Sequence, residues 1–238
     1  MLLFRSLIFL LLQILLTPIF STLAILTFPF SPLTRYRLIS SYARTMIWLL
    51  GPICGIRHQV IGMENIPDKP CVVLCKHQSA WETLALQVIL PPQAWVLKRE
   101  LLWLPFFGWG LAMTSPIAIN RSDGKGAVKQ LLSQGKKRLA QGFFVVIFTE
   151  GTRIPYGQRG KYKIGGALLA ASSKVPVLPI AHDAGRLWGR NSFIKRPGLI
   201  TFSIGPVIPA SGLKAEEINT RAEAWIEAEV ERIDRSHT

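Results

Sequence analysis

The segment Cys71-Val-Val-Leu-Cys75-Lys-His77-Gln-Ser79-Ala-Trp-Glu82 decides the fold. Its apolar start has the length of a buried strand, and Ser79-x-x-Glu82 is typical of a helix start with Ser79 as the N-cap. On a single helix His77 and Glu82 would lie roughly 140° apart, so they meet only if the histidine precedes the helix. The segment predicts a strand–turn–helix unit. Its glutamate either caps the helix beside a polar loop histidine or holds a catalytic histidine.

A second apolar run ends in a similar polar turn. Residues 143–148 are all apolar, and Thr149-Glu-Gly-Thr-Arg153 follows them. In open α/β sheets, ligands bind beyond the carboxyl ends of parallel strands. If both strands are parallel, the two turns face one crevice, and we expect a functional site there.

Short apolar runs alternate with helical patterns through the rest of the chain. Strands are expected at 56–61, 71–75, 94–97, 116–119, 143–148, 175–180 and 199–204, and helices at 79–90, 124–140, 164–172 and 214–235. This alternation predicts an α/β fold with a mostly parallel sheet flanked by helices. Residues 51–55 are taken as the boundary between N-terminal membrane-anchoring helices (1–55) and a single domain (56–238).

The N-terminus has the pattern of a membrane anchor. Residues 6–34 contain no charged side chain. An uncharged stretch of this length is long enough to cross a bilayer. Ser31 and Pro32 predict the start of a second helix over about 33–50. Two models remain: a spanning helix followed by an interfacial one, or a two-helix hairpin in one leaflet, which the mixture of arginines with Trp48 favours. Three arginines of the second helix place the main domain on the cytoplasmic face of the inner (plasma) membrane: Arg35, Arg37 and Arg44.

The net charge of +14 predicts an anionic partner. Charge alone does not separate lipid, nucleic acid and acidic carrier, but an anchored chain favours an anionic membrane surface over nucleic acid. The three cysteines provide neither a disulfide framework nor the four ligands of a structural zinc site, so no metal is expected.

Basic side chains that follow strands or turns are candidates for binding an anionic group: Arg121, Arg153, Lys98 and Lys163. The two arginines are favoured, because a guanidinium grips phosphate with two parallel hydrogen bonds. His182 follows an expected strand and is interpreted as a structural histidine.

Taken together, these residues resemble the glycerolipid acyltransferase family, of the lysophosphatidic acid acyltransferase type. Four blocks occur in the family's order: His77-x4-Glu82, Ala118-Ile-Asn-Arg121-Ser, Phe148-Thr-Glu-Gly-Thr-Arg153 and Val175-Pro-Val-Leu-Pro179. One departure is Glu82, because the family has aspartate there.

The resemblance implies an enzyme that needs no cofactor. It would transfer an acyl chain from acyl-CoA or acyl-carrier protein to the free sn-2 hydroxyl of 1-acyl-sn-glycerol 3-phosphate (lysophosphatidic acid), giving phosphatidic acid. His77 would be the general base and Glu82 would orient it. The remaining assignments concern the acceptor: Glu150, Gly151 and Thr152 shape its pocket, and Arg121 and Arg153 hold its phosphate, with Lys98 and Lys163 assisting.

Two alternatives stay open from the sequence. The same chemistry could act on another acceptor, such as glycerol 3-phosphate or a different lysophospholipid. From another class, the chain could be a membrane-anchored protein that binds anionic lipid and catalyses nothing.

Overall fold

The apolar N-terminus folds into three helices, and the computed structural model describes residues 1–237. These helices are α1 (Leu2–Leu26), α2 (Pro32–Ile39) and α3 (Ser41–Cys54). As expected, Ser31 is an N-cap whose hydroxyl accepts a hydrogen bond from the Thr34 N–H. The predicted second helix is divided, however, because Ser40 separates α2 from α3 and its hydroxyl bonds back to the Tyr36 carbonyl at 2.7 Å.

Within residues 1–237, seven strands form one sheet in the order β1-β7-β6-β2-β5-β3-β4. The strands are β1 (Ile56–Ile61), β2 (Val72–Cys75), β3 (Gln93–Lys98), β4 (Ile117–Ile119), β5 (Phe144–Phe148), β6 (Val177–His182) and β7 (Gly198–Ile204). Of the neighbouring pairs, β6 and β7 are antiparallel and the others are parallel. The predicted α/β fold with a mostly parallel sheet is confirmed. The strand expected at 175–180 lies two residues later, so it includes His182.

The described part of the chain has six further helices, which lie between or after the strands: α4 (Trp81–Ile89), α5 (Phe107–Met113), α6 (Lys125–Ala140), α7 (Gly165–Ser173), α8 (Ala184–Leu187) and α9 (Ala215–Arg235). Short 3₁₀ segments lie at Met63–Asn65, Arg99–Trp103 and Arg121–Asp123. The sequence did not predict α5, since its seven residues include two glycines and its N-terminus has no side-chain cap.

The sheet is buried on both faces, and β2 shows the alternation clearly. Val73 and Cys75 belong to the core packed with α1, α3 and α4. Val72 and Leu74 belong to the core packed with α6, α7 and α9. Successive residues of a strand point to opposite faces, so β2 is apolar throughout because helices cover both sides.

The first helix packs on the domain along one face only. Phe9 of α1 is fully buried, and its ring contacts Trp188 with a centroid separation of 5.7 Å. By length and composition α1 could cross a membrane, and its outward face is apolar and exposed. The division at residue 55 stays a prediction, since α1 and α3 share a core with β2.

Candidate active site

The turn between β2 and α4 brings His77 and Glu82 together. His77 Nδ1 lies 2.7 Å from Glu82 Oε1, and the same oxygen accepts hydrogen bonds from the Gln78 and Ser79 N–H groups at 3.0 and 2.9 Å. The predicted N-cap was one residue early: α4 begins at Trp81, and Ala80 occupies the N-cap position. Glu82 therefore supports the helix start and holds the histidine with a single oxygen.

These contacts define how the imidazole is presented. Because Glu82 accepts at Nδ1, that nitrogen carries the proton and Nε2 keeps its lone pair. The ring is stacked on Phe148, with centroids 3.7 Å apart and planes 12° apart. The orientation of His77 is thus fixed by one hydrogen bond and one aromatic face.

Burial lowers the pKa of His77, and the nearby Arg153 cation acts in the same direction. The hydrogen bond and charge of Glu82 oppose this effect, but the pKa of His77 remains below its ordinary value. For Glu82, burial raises the pKa, whereas its interactions with His182, His77 and the Ser79 N–H lower it, with a net decrease. Near neutral pH the pair is a neutral imidazole beside a carboxylate.

A cavity of about 280 Å³ opens beside His77. Arg121 and Arg153 line it together with the histidine, and so give this part a cationic character. Most other lining residues come from α1, α4, α5 and neighbouring strands and are apolar, including Phe20, Ala24, Leu84, Leu97, Leu111 and Phe148. The cavity suits an amphiphile with an anionic head and a hydrocarbon chain.

The turn after β5 contacts Arg121, which follows β4. Arg121 Nη1 donates a hydrogen bond of 2.6 Å to the Gly151 carbonyl. Gly151 has φ +70°, a left-handed conformation that glycine adopts without strain. Arg153 lines the cavity, and its buried Nε has no hydrogen-bond partner among residues 1–237.

Comparison with known proteins identifies the fold and family. Residues 57–183, more than half of the chain, match the family model described as "Acyltransferase". A 1-acyl-sn-glycerol-3-phosphate acyltransferase of Pseudomonas aeruginosa is 50% identical over 213 residues, which cover 87% of this chain and 83% of that protein. The chain belongs to the acyltransferase family.

More distant relatives agree with this assignment. The human 1-acyl-sn-glycerol-3-phosphate acyltransferase beta is 28% identical over 167 residues, which cover 69% of this chain and 60% of that protein. The crystal structure of the 1-acyl-sn-glycerophosphate acyltransferase of Thermotoga maritima has the same fold, with a TM-score of 0.80 at 20% identity over 98% of this chain and 96% of that one. The resemblance to glycerolipid acyltransferases and the prediction of an enzyme are confirmed.

The other predicted residues of this acyltransferase do not line the cavity. Glu150 is buried, and its Oε1 lies 2.8 Å from Lys76 Nζ, beneath the turn. Thr152 is exposed. Lys98 is exposed as well, and its Nζ lies 3.6 Å from Glu100 Oε1. Lys163 is exposed, and its stem lies against Gly151. What these residues do toward a substrate stays a prediction.

A buried ionic cluster in the acyltransferase was missed by sequence reasoning. Lys76 is fully buried, and its ammonium lies 2.8 Å from Glu150 Oε1 and 2.8 Å from Glu227 Oε1 on α9. The Tyr162 hydroxyl donates to Glu227 Oε1 at 2.7 Å, and the Gly160 N–H donates to Glu150 Oε1 at 3.0 Å. The only local signal was a lysine at the end of a buried strand, and it does not reveal a partner on the last helix.

His182 lies behind the pair of His77 and Glu82. Its Nε2–H donates to the Lys76 carbonyl at 3.0 Å, and its Nδ1 accepts from the Ala184 N–H at 3.3 Å. Both ring nitrogens are occupied by backbone groups, as expected for a structural histidine. Its Nε2 lies 4.0 Å from Glu82 Oε2, so His182 lies beside the carboxylate but does not line the cavity.

Proposed function

We propose that this acyltransferase transfers an acyl chain from acyl-CoA or acyl-carrier protein to the sn-2 hydroxyl of lysophosphatidic acid, with phosphatidic acid as the product. One observation carries the proposal: a single cavity combines a polarised histidine, two guanidinium groups and an apolar lining. The Pseudomonas aeruginosa relative that is 50% identical is a 1-acyl-sn-glycerol-3-phosphate acyltransferase, which supports the same acceptor.

In the proposed reaction, His77 is the general base. Its Nε2 takes the proton of the acceptor hydroxyl as that oxygen attacks the thioester carbonyl carbon. Glu82 stabilises the imidazolium that forms, as the acid does in a Ser-His-Asp triad. When the C–S bond breaks, the proton passes from His77 to the leaving thiolate. The acceptor oxygen is itself the nucleophile, so the step requires no serine, metal or cofactor.

The two arginines give the cavity its preference for a phosphate monoester. Arg121 and Arg153 line the same cavity as His77. Guanidinium groups bind phosphate strongly through charge-assisted, paired hydrogen bonds. With the phosphate held there, the glycerol hydroxyl would lie near the imidazole and the acyl chain would extend along the apolar lining.

The apolar face of α1 supports action at a membrane surface. Arginines of α2 and α3 follow it in sequence, which favours the cytoplasmic face and contact with anionic headgroups. On this view residues 1–55 are the anchor and residues 56–238 the acyltransferase domain.

The test supplies purified protein with labelled acyl-CoA and lysophosphatidic acid and measures labelled phosphatidic acid. His77→Ala is expected to lower the rate by about 10²–10⁴-fold. His58→Ala, which changes an exposed histidine of β1, serves as the matched control. Equal rates for both variants would overturn the assignment of His77.

The same assay distinguishes acceptors and donors. Glycerol 3-phosphate and other lysophospholipids replace lysophosphatidic acid in parallel reactions, and acyl-carrier protein replaces the coenzyme A donor. We expect the highest kcat/KM with lysophosphatidic acid. A higher value for another acceptor would retain the chemistry and reject the proposed substrate.

A further inference from the structure

An exposed apolar segment precedes and begins α5. Residues 103–109 read Trp-Leu-Pro-Phe-Phe-Gly-Trp, and five large side chains in it are exposed: Trp103 at 71%, Leu104 at 48%, Phe106 at 43%, Phe107 at 46% and Trp109 at 46%. Single exposed apolar residues are common, but a contiguous group of this kind marks an interaction surface.

The backbone holds this segment in a defined conformation. Phe106 has a positive φ of +58°, which is costly for a bulky side chain. Backbone hydrogen bonds on either side keep it there, from Gly108 N–H to the Leu104 carbonyl at 2.8 Å and from Gly110 N–H to the Phe106 carbonyl at 2.9 Å. The aromatic side chains are therefore displayed on a structured turn.

The helix that the segment begins, α5, packs against α1 at the buried Ser21. A Cβ placed on Gly110 would lie 2.9 Å from Ser21 Oγ, so α5 and α1 pack with their backbones close together. The exposed face of α1 is also apolar and includes Leu7, Leu11, Ile14, Leu15, Leu23 and Ile25. Lys98 and Arg99, both exposed, come just before the segment. Two elements that pack on each other, α1 and α5 with the segment before it, thus both expose apolar side chains, and cationic residues precede the segment.

We propose that residues 103–109 are a second membrane-contacting element, which inserts Trp103, Phe106 and Trp109 into an anionic bilayer beside α1. This inference rests on the membrane association included in the proposed function. Aromatic rings concentrate at the boundary between headgroups and hydrocarbon, and flanking lysine and arginine bind anionic headgroups.

The same segment also forms part of the cavity wall. Four lining residues belong to it or flank it closely: Leu101, Phe107, Gly110 and Leu111. A membrane-inserted segment would therefore place the cavity wall at the lipid surface. An acceptor could leave the bilayer along this segment without its acyl chain crossing water.

The first experiment measures quenching of tryptophan fluorescence by brominated acyl chains. Full-length protein is mixed with vesicles of phosphatidylcholine and phosphatidylglycerol that contain brominated lipid. Trp103→Phe/Trp109→Phe is expected to lose a large part of the wild-type quenching while keeping its affinity for the vesicles. Quenching equal to wild type in this variant would show that the two rings stay outside the bilayer and would overturn the proposal.

The second experiment measures partitioning onto the same vesicles by sedimentation. Trp103→Ser/Leu104→Ser/Trp109→Ser is expected to bind at least about tenfold more weakly, because it removes apolar area from the contact. The control Ile61→Ser/Val207→Ser removes exposed apolar residues outside α1 and the segment, one on the edge strand β1 and one beside the residue that bridges to β6, and should bind like wild type. Equal partitioning of the two variants would overturn the proposal.

A third measurement separates this inference from the proposed activity. Both variants are assayed with a short-chain lysophosphatidic acid that is monomeric in solution. The serine variant should keep near-wild-type acyl transfer with this acceptor and lose it with vesicle-borne acceptor. Loss with both acceptors would contradict a membrane role for the segment. If wild-type protein forms no phosphatidic acid, the proposed function fails, whereas the quenching and partitioning results still decide the membrane contact.

Discussion

Lys76 and His77 are neighbours in sequence but serve opposite sides of the sheet. The Lys76 side chain is fully buried and reaches Glu150 and Glu227 on the side covered by α9. The His77 side chain is 13% exposed and reaches Glu82 beside the cavity. The alternation of β2 continues past the end of the strand, so consecutive residues face different helices.

The two sides of the sheet have different roles: the Lys76 side holds the turns in place, and the His77 side faces the cavity where the reaction is proposed to occur. The cluster of Lys76, Glu150 and Glu227 receives hydrogen bonds from the Tyr162 hydroxyl and the Gly160 N–H, and it connects the turn after β5 to the turn after β2. The His77 pair leaves one imidazole nitrogen free toward the cavity. Substitutions beside the cavity should therefore change the catalytic rate most, and substitutions in the Lys76 cluster should change the free energy of unfolding most.

The largest expected effect is that of Glu82→Gln. We expect kcat/KM to fall about 10³-fold, because glutamine cannot stabilise the imidazolium. Activity requires neutral His77, so it rises as pH passes the pKa of His77. Glu82 raises that pKa, so its removal should move the acidic limb of the profile to lower pH. The pH dependence of kcat/KM measures both effects.

Glu82→Asp is the matched control for this prediction. It keeps the charge and provides the residue usual in the family, so its acidic limb should lie closer to that of wild type. If Glu82→Gln left kcat/KM unchanged, the Glu82 carboxylate would have no role in the reaction.

In the Lys76 cluster, Glu227→Ala should lower the free energy of unfolding by about 2–3 kcal/mol, because the fully buried Lys76 ammonium loses one of its two carboxylate partners. The rate per folded molecule should change less than tenfold. Chemical denaturation followed by circular dichroism measures the first quantity. Glu217→Ala, which removes an exposed partner of Arg221, should cost no more than about 0.5 kcal/mol. Equal losses for the two variants would show that the cluster adds no particular stability.

Arg153→Gln tests the cationic part of the cavity. Loss of a charged phosphate contact should raise KM for the acceptor about tenfold or more. The Arg153 cation also lowers the pKa of His77, so the acidic limb should move to higher pH, opposite to Glu82→Gln. Steady-state kinetics across pH measures both, with Lys129→Gln on the exposed side of α6 as the control. A shift in the same direction as Glu82→Gln would contradict this assignment.

The smallest effect is expected for Phe148→Leu, which removes the ring stacked on His77. An aromatic contact of this kind contributes about 0.5–1.5 kcal/mol beyond burial, so the rate should fall about two- to tenfold. The measurement is kcat at saturating acceptor. A loss as large as that of Glu82→Gln would mean that the stack, rather than the carboxylate, sets the orientation of His77.

The sequence predicted the elements whose signals are local. The apolar run of β2 and the Ser79-x-x-Glu82 pattern located the turn that joins His77 to Glu82, with the helix start misplaced by one residue. The additional methylene of glutamate is accommodated, since Oε1 still reaches Nδ1 at 2.7 Å. The strands of the sheet were predicted from a local signal too. A strand buried on both faces is a continuous apolar run, and such runs alternate with helical segments along the sequence.

Features that depend on distant partners could not be predicted. Nothing near Lys76 indicates that its second carboxylate is Glu227 on α9. The segment at 103–109 has no strong helical or strand period, and only the fold shows that its aromatic residues lie beside α1. The burial of Glu150 is of the same kind, because its side chain turns inward to meet a lysine from another strand.

The position of Glu227 in the chain has a consequence for biosynthesis. Lys76 precedes Glu227 by most of the domain, so a growing chain contains the histidine turn before the second carboxylate of its lysine exists. The ionic cluster under the turn therefore forms only after α9 has been synthesised, and the last helix completes the support of a turn made much earlier.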